Sequence, residues 1–341
     1  MSNAPKTYKA AVITKAGGKF EIQDVEYKKP QKGEIVVKVL ASGVCHSDSV
    51  VVEQLFPTGL PRVCGHELIG SVFEVPESET RWKVGDRVGS GWHGGHCERE
   101  CKRCVRGDFV TCEKEAINGV TRDGGHAQFV TLRTEAVTYI PEDIEPAKAA
   151  PLLCAGVTVY NSIRNMDVHP GDVVAVQGLG GLGHLAVQFS RKMGFKTVVV
   201  SRGTDKKDLA FKLGAHHYID SEAEDAAEEL QKLGGAKVAA CVAPSGKAME
   251  SLIGGLAVGG QLVILAVADK LEVPMMPMIQ KRLSIRGWPS GTAADSEDTV
   301  KFAQASGVEC QIETYPLEKI QDAYDSMMNG KARFRAVIKM D

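Results

Sequence analysis

The sequence predicts an α/β protein in which an irregular, mostly β domain, built from two segments, carries an inserted doubly wound domain. Three observations predict it. Residues 1–155 hold short β-type runs broken by Gly and Pro. From Gly171 to Trp288 apolar strand-like runs alternate with helix-like stretches, the pattern of a parallel sheet covered on both faces. After Trp288 the alternation stops, and two helical stretches lead into a closing strand. The expected division is 1–155 plus 290–341 for the first domain and 156–289 for the inserted one. A length of 341 residues suits two domains better than one.

The elements follow in order. "EIVVKVLASGVC" (34–45), "GSVFEVP" (70–76) and "DRVGS" (86–90) read as strands of the first domain. "DVVAVQG" (172–178) is a buried strand. "GLGHLAVQFSRKMG" (181–194) is a helix with Leu182, Leu185, Ala186, Phe189 and Met193 on one face. "KTVVVS", "AKVAACVA", "GQLVILAV" and "LSIRGW" continue the strands. "KKDLAFKLGA", "AEDAAEELQKLG" and "KAMESLIGGLA" supply the helices between them. "EDTVKFAQASG" and "LEKIQDAYDSMMNG" are helical, and "ARFRAVIKM" closes the chain as a strand.

Hydrophobic content of 43%, charged content of 25% and a net charge of -2 are those of an ordinary globular protein. No basic block exists, so nucleic acid is not an expected partner. "MSNAPKTYKA" lacks the apolar core of a signal peptide, and "LVILAVA" is too short to span a bilayer. A cytoplasmic protein with no membrane partner is therefore expected. There its 9 cysteines would not be paired as disulfides, and clustered ones point to metal or catalysis. Cys97, Cys101, Cys104 and Cys112 read C-x3-C-x2-C-x7-C. Either they form a metal knot with one stretched loop, or one of them is spare.

"VVAVQGLGGLGH" sets Gly178, Gly180 and Gly183 as G-x-G-x-x-G between a strand and a helix, the dinucleotide-binding arrangement of a Rossmann domain. Gly178 permits the tight turn, Gly180 lets a pyrophosphate approach the backbone, and Gly183 lets the helix pack on the strand. With Gly181 and Leu182 they form the expected phosphate turn at a helix N-terminus. Cofactor choice is read about twenty residues on, where the chain has Ser201 and Arg202 and no carboxylate. Arg202, with Lys206 or Lys207, would pair with a 2′-phosphate. NADP(H) is favoured over NAD(H); the alternative has Asp205 reaching the ribose.

Three further pieces carry chemistry. "GVCHSD" holds Cys45 and Asp48, "CGHELIG" holds His66 and Glu67, and "LLCAGVTVY" holds Cys154 and Thr158. These motifs, their order and the Gly-rich turn behind them resemble the zinc-dependent alcohol dehydrogenases of the medium-chain dehydrogenase/reductase family, over nearly the whole chain. The resemblance implies a GroES-like catalytic domain around the inserted Rossmann domain. It implies two zinc ions per chain, the catalytic one on Cys45, His66 and Cys154, a Cys2His set with an open fourth position. Zinc can bring a bound water from a pKa of about 15.7 to about 7, and an alcohol would gain similarly.

The same resemblance assigns supporting roles. Asp48 would hold the His66 imidazole, and Glu67 would lie close behind the metal. Ser47 matches the hydroxyl that touches the substrate oxygen. A more distal histidine of the family is replaced by Val50, so protons would leave through Ser47, the ribose and water, or through another group. His46 and Thr158 match cofactor contacts, and Arg333 or Arg335 would reach the cofactor phosphates from the returning segment. Phe56 and Trp92 match pocket-lining positions, with Trp288 a weaker third. "DGGHAQFV" resembles a strand motif of the family, with His126 read as structural. The family's structural zinc lobe is C-x2-C-x2-C-x7-C. Cys101, Cys104 and Cys112 fit it, and thiolate preference selects Cys97 over Glu98 as the fourth ligand.

The expected function is hydride transfer between NAD(P) and a primary alcohol or aldehyde with an apolar or aromatic group. A biosynthetic zinc reductase of conjugated aldehydes or iminiums is the alternative within enzymes. A non-catalytic cofactor-binding protein is the alternative outside them. A homodimer or homotetramer is the implied assembly.

Overall fold

Glu34–Val44 is a mostly apolar run, buried on both faces over most of its length, which makes it the central strand of the first unit. In this computed structural model, which describes residues 4–340, the strand pairs antiparallel with Leu68–Glu74, Phe129–Arg133 and Arg335–Lys339. Ile35, Val37 and Val39 bury among Leu68, Val72, Leu132 and Ile338. The sheet continues through Arg87–Ser90 and Thr138–Tyr139 on one side and Ile312–Pro316 on the other. The first unit comprises the described residues up to Cys154, Ser290–Gln304, and those from Cys310 on. Residues 1–3 and 341 of the expected first domain lie outside the described residues.

The second unit is Ala155–Pro289 with Ala305–Glu309. Its sheet has the order His217–Asp220, Lys196–Ser201, Val173–Gln177, Ala236–Cys241, Leu256–Ile264, Ser284–Gly287, with every pair parallel. This is the expected doubly wound sheet. Strand order reverses at Val173–Gln177, whose neighbours on the two sides come from different halves of the unit, the place where such sheets bind ligands. The helix Gly183–Lys192 buries Leu185, Ala186 and Phe189. Asp225 caps Ala226–Lys232 by accepting from the Glu228 amide at 3.0 Å. His217–Asp220 was not anticipated: it is an edge strand of 4 residues with only Ile219 buried, too short and too polar to stand out. Among the described residues no helix is long and apolar enough to cross a membrane.

Candidate active site and metal centres

Three sheet ends meet in the first unit. Glu34–Val44 delivers Cys45, Leu68–Glu74 begins just after His66 and Glu67, and Arg335–Lys339 begins at Arg335. A short 3-10 turn at Ala150–Leu153 delivers Cys154. Ligand atoms of Cys45, His66, Glu67 and Cys154 all lie within 4.8 Å of one another, and all four residues are buried. The Cys45 and Cys154 sulfurs are 3.9 Å apart. The contact with Cys154 and the nearby His66 hold the Cys45 thiol well below its usual range, against the opposing effect of burial. His66 Nδ1 is 3.5 Å from Asp48 Oδ1. Both ring nitrogens are buried with no hydrogen-bond partner, and among the described residues Nε2 has no carboxylate in ion-pair contact either. A buried, unpartnered imidazole nitrogen beside two thiols is a donor set that fits zinc.

Asp48 also accepts from the Cys45 amide at 2.9 Å and the Gly65 amide at 3.3 Å. Glu67 is fully buried and paired with Arg335, whose guanidinium also donates to the Val44 carbonyl at 3.2 Å. Burial pushes the Glu67 carboxyl up to about 7 despite the pull of Arg335. Arg335, expected near the cofactor phosphates, is only 4% exposed and is committed to Glu67. Sequence reasoning missed this pair, which links positions 268 apart. One signal existed: Gly43 lies inside a strand, where glycine often marks a close approach. A Cβ there would sit 2.0 Å from Glu67 Oε2.

Ser47 is half-buried and His46 exposed in the turn after Cys45. Val50 packs against the core of the unit. Trp92 meets the His66 ring edge-on, with centroids 5.0 Å apart and planes at 84°. Phe56 is 43% exposed.

Cys97, Cys101, Cys104 and Cys112 form a second buried group with sulfurs within 4.8 Å of one another. Glu98 is exposed. The extra residue between Cys97 and Cys101 is absorbed by Arg99, which adopts a φ of 62° while its amide donates back to the Cys97 carbonyl at 2.8 Å. Backbone amides aim at the sulfurs: Lys114 N and Cys97 N donate to Cys112, and Cys104 N donates to Cys101. The amides of Cys104 and Glu113 pull the Cys101 thiol down to about 6. A closed tetrad of buried thiols with backbone amides aimed at its sulfurs fits a structural zinc.

In the second unit Gly178 has a φ of 96°. A Cβ on Gly183 would lie 2.1 Å from the Gly178 carbonyl oxygen, whereas one on Gly180 would meet nothing within 4 Å. Gly181 and Leu182 complete the turn, both half-buried. Thr158 is half-buried on the helix Ala155–Arg164. Ser201 ends its strand, and Arg202 follows it exposed, with no ion pair among the described residues. Lys206 is half-buried and Asp205 exposed. The carboxylate opposite Ser201 is Asp220, already engaged by the amides of Gly203 at 2.7 Å and Glu222 at 3.0 Å. Trp288 is half-buried and packs against the cluster of this unit that holds Val174 and Val263.

Two metal-fitting clusters on a β unit, with a glycine-turn parallel sheet beside them in the chain, define an NAD(P)-dependent, zinc-type oxidoreductase. Residues 31–142 match the alcohol dehydrogenase GroES-like domain, and residues 181–305 match the zinc-binding dehydrogenase family. The chain is 48% identical to the alcohol dehydrogenase patD of Penicillium expansum, over 99% of each protein. It is 44% identical to the alcohol dehydrogenase notN of Aspergillus sp. (strain MF297-2), again over 99% of each. The cinnamyl alcohol dehydrogenase SbCAD4 of Sorghum bicolor superposes with a TM-score of 0.89, at 29% identity and 98% coverage of both chains. The chain belongs to the zinc-dependent alcohol dehydrogenases of the medium-chain dehydrogenase/reductase family.

Proposed function

We propose that this alcohol dehydrogenase interconverts a primary alcohol and its aldehyde, the carbon skeleton carrying an apolar or aromatic group, at a zinc held by Cys45, His66 and Cys154. The carrying observation is the buried, unpartnered Nε2 of His66 beside the two sulfurs. When bound, zinc withdraws electron density from the substrate oxygen, and the nicotinamide gives or takes the hydride. The chain's residues do the rest. Asp48 fixes the His66 ring. Ser47 would exchange the proton of the substrate hydroxyl, and Val50 cannot carry it further. Glu67 offers a further oxygen beside the ligands, its charge offset by Arg335. Trp92 and Phe56 favour apolar substituents.

Cys97, Cys101, Cys104 and Cys112 hold a second, structural zinc, which ties down a lobe with little apolar content of its own. The inserted domain, 156–289, binds the cofactor. Gly178, Gly180, Gly181, Leu182 and Gly183 receive the pyrophosphate, Thr158 packs on the nicotinamide, and His46 meets the phosphates. Ser201, Arg202 and Lys206 favour NADP(H), supported by the engagement of Asp220 with backbone amides. The edge strand Ser284–Gly287 and the exposed Met275, Met276 and Ile279 favour self-association into a homodimer or homotetramer.

A second reading, a reductase of conjugated aldehydes or iminiums, draws on the name of the Sorghum enzyme, which makes cinnamyl alcohol its substrate. One panel tests both: kcat/KM for aliphatic, benzylic and conjugated aldehydes and a cyclic iminium, each with NADH and NADPH. The proposal expects aldehydes to lead and NADPH to win. No turnover by protein carrying zinc would overturn it, and a tenfold preference for NADH would overturn the cofactor assignment.

A further inference from the structure

We propose that His126 is a positioning residue of the catalytic metal centre: its Nε2–H anchors Asp48 so that Asp48 in turn orients His66. This rests on the reading that Cys45, His66 and Cys154 hold zinc.

His126 is fully buried, and every polar atom of it is engaged. Its amide donates to the Cys64 carbonyl at 3.0 Å, and its carbonyl accepts from the Ala11 amide at 2.8 Å. Its Nδ1 is 2.9 Å from Ser42 Oγ, and its Nε2 is 3.4 Å from Asp48 Oδ2. Phe20 meets the ring edge-on at 6.1 Å. The ring lies against the backbone next to His66: a Cβ on Gly65 would stand 2.7 Å from His126 Nδ1.

The chemistry fixes the tautomer. An ionised carboxylate only accepts, so the nitrogen facing Asp48 carries the hydrogen. In the neutral imidazole Nδ1 then accepts from the Ser42 hydroxyl, whose hydrogen can turn that way. Asp48 has about four acceptor positions on two oxygens. The Gly65 amide donates to Oδ1, with His66 Nδ1 in contact at 3.5 Å, and the Cys45 amide and His126 Nε2 reach Oδ2. Without His126 one acceptor position on Oδ2 stands empty in a buried site. The carboxylate is then freer to turn, and with it the His66 ring. Groups that orient metal ligands are typically worth about 10–100-fold in metal affinity. An aromatic ring serving only as packing would contribute none of this through an N–H.

The test is the rate at which zinc-loaded protein releases metal into excess chromogenic chelator. His126→Phe should release the catalytic zinc about 10–100-fold faster, while the tetracysteine zinc, an internal control for general loosening, keeps its wild-type rate. His126→Gln, whose amide nitrogen replaces Nε2, should stay within about threefold of wild type, since the same donor is restored. Ser42→Ala should be faster than wild type, and Ser42→Ala/His126→Phe should match His126→Phe, because both act through one chain of contacts. Equal rates for wild type and His126→Phe, or His126→Gln as fast as His126→Phe, overturn the inference. If His126→Phe does not fold, the Gln and Ser42 variants decide. Wild-type protein that releases only the tetracysteine zinc refutes the reading of the catalytic ligands instead.

Discussion

Glu67→Gln and Arg335→Met break one buried ion pair from opposite sides, and the two should not cost the same. Glu67 is 0% and Arg335 4% exposed. Glu67 Oε2 and Arg335 Nε have no hydrogen-bond partner, so the groups depend chiefly on each other and on the Val44 carbonyl. Removing one partner of such a pair costs about 3–5 kcal/mol, because a charge is left buried and uncompensated. A guanidinium cannot shed its proton in a protein. The carboxyl can take one up, since burial has already pushed it to about 7. Glu67→Gln, which strands the arginine, should therefore be the worse variant. At about 2–4 °C per kcal/mol for a unit of this size, its Tm should fall by roughly 6–20 °C. Glu67→Leu/Arg335→Met removes both charges and should melt above Glu67→Gln. Calorimetry on zinc-loaded protein checks the order. An Arg335→Met as damaging as Glu67→Gln, or a Glu67→Gln within about 2 °C of wild type, less than 1 kcal/mol on this scale, would refute the reasoning.

The remaining predictions are simpler. Gly183→Ala puts a Cβ 2.1 Å from the Gly178 carbonyl oxygen, so it should lower the Tm of cofactor-free protein. Gly180→Ala meets nothing within 4 Å; it should leave that Tm alone and raise the NADPH dissociation constant about tenfold by obstructing the pyrophosphate, measured by fluorescence titration. Arg202→Ala should raise KM for NADPH about tenfold, the value of one charge-assisted hydrogen bond, and leave KM for NADH unchanged. Cys104→Ser should cost the protein one zinc equivalent by elemental analysis and lower its Tm, with the catalytic zinc retained.

The doubly wound sheet was legible because its central strands are continuous apolar runs: every residue of Val173–Gln177 is buried. His217–Asp220 escaped because an edge strand with a single buried residue carries no period to read. In the first unit the chemistry was legible only as matched motifs. Cys45 and Cys154 are 109 positions apart, and no local spacing announces that they meet. The stretched gap from Cys97 to Cys101 looked like a misfit because sequence spacing does not reveal backbone hand. Arg99 in the left-handed region shortens the path. Arg335 was placed near the cofactor by its position in the returning segment. The antiparallel register of Ala336 with Val44 brings it to Glu67, a pairing the sequence did not announce, because register across nearly three hundred residues is set by tertiary pairing alone.

Two glycines connect these findings. Gly43 precedes Cys45 by two positions and Gly65 precedes His66 by one. A Cβ at the first would strike Glu67 at 2.0 Å, and at the second His126 at 2.7 Å. Each glycine thus leaves room for a buried polar side chain that stands behind a proposed ligand and shapes its surroundings: Glu67 with Arg335 behind Cys45, and His126 with Asp48 behind His66. Gly65 also adopts a φ of 101°, which favours glycine by itself, whereas Gly43 lies within a strand, where turn propensity explains nothing. Burying these polar groups is tolerable only if each meets a partner, and a partner can come that close only where the backbone carries no side chain of its own. The glycines are therefore as much a part of the proposed metal centre as the proposed ligands they precede.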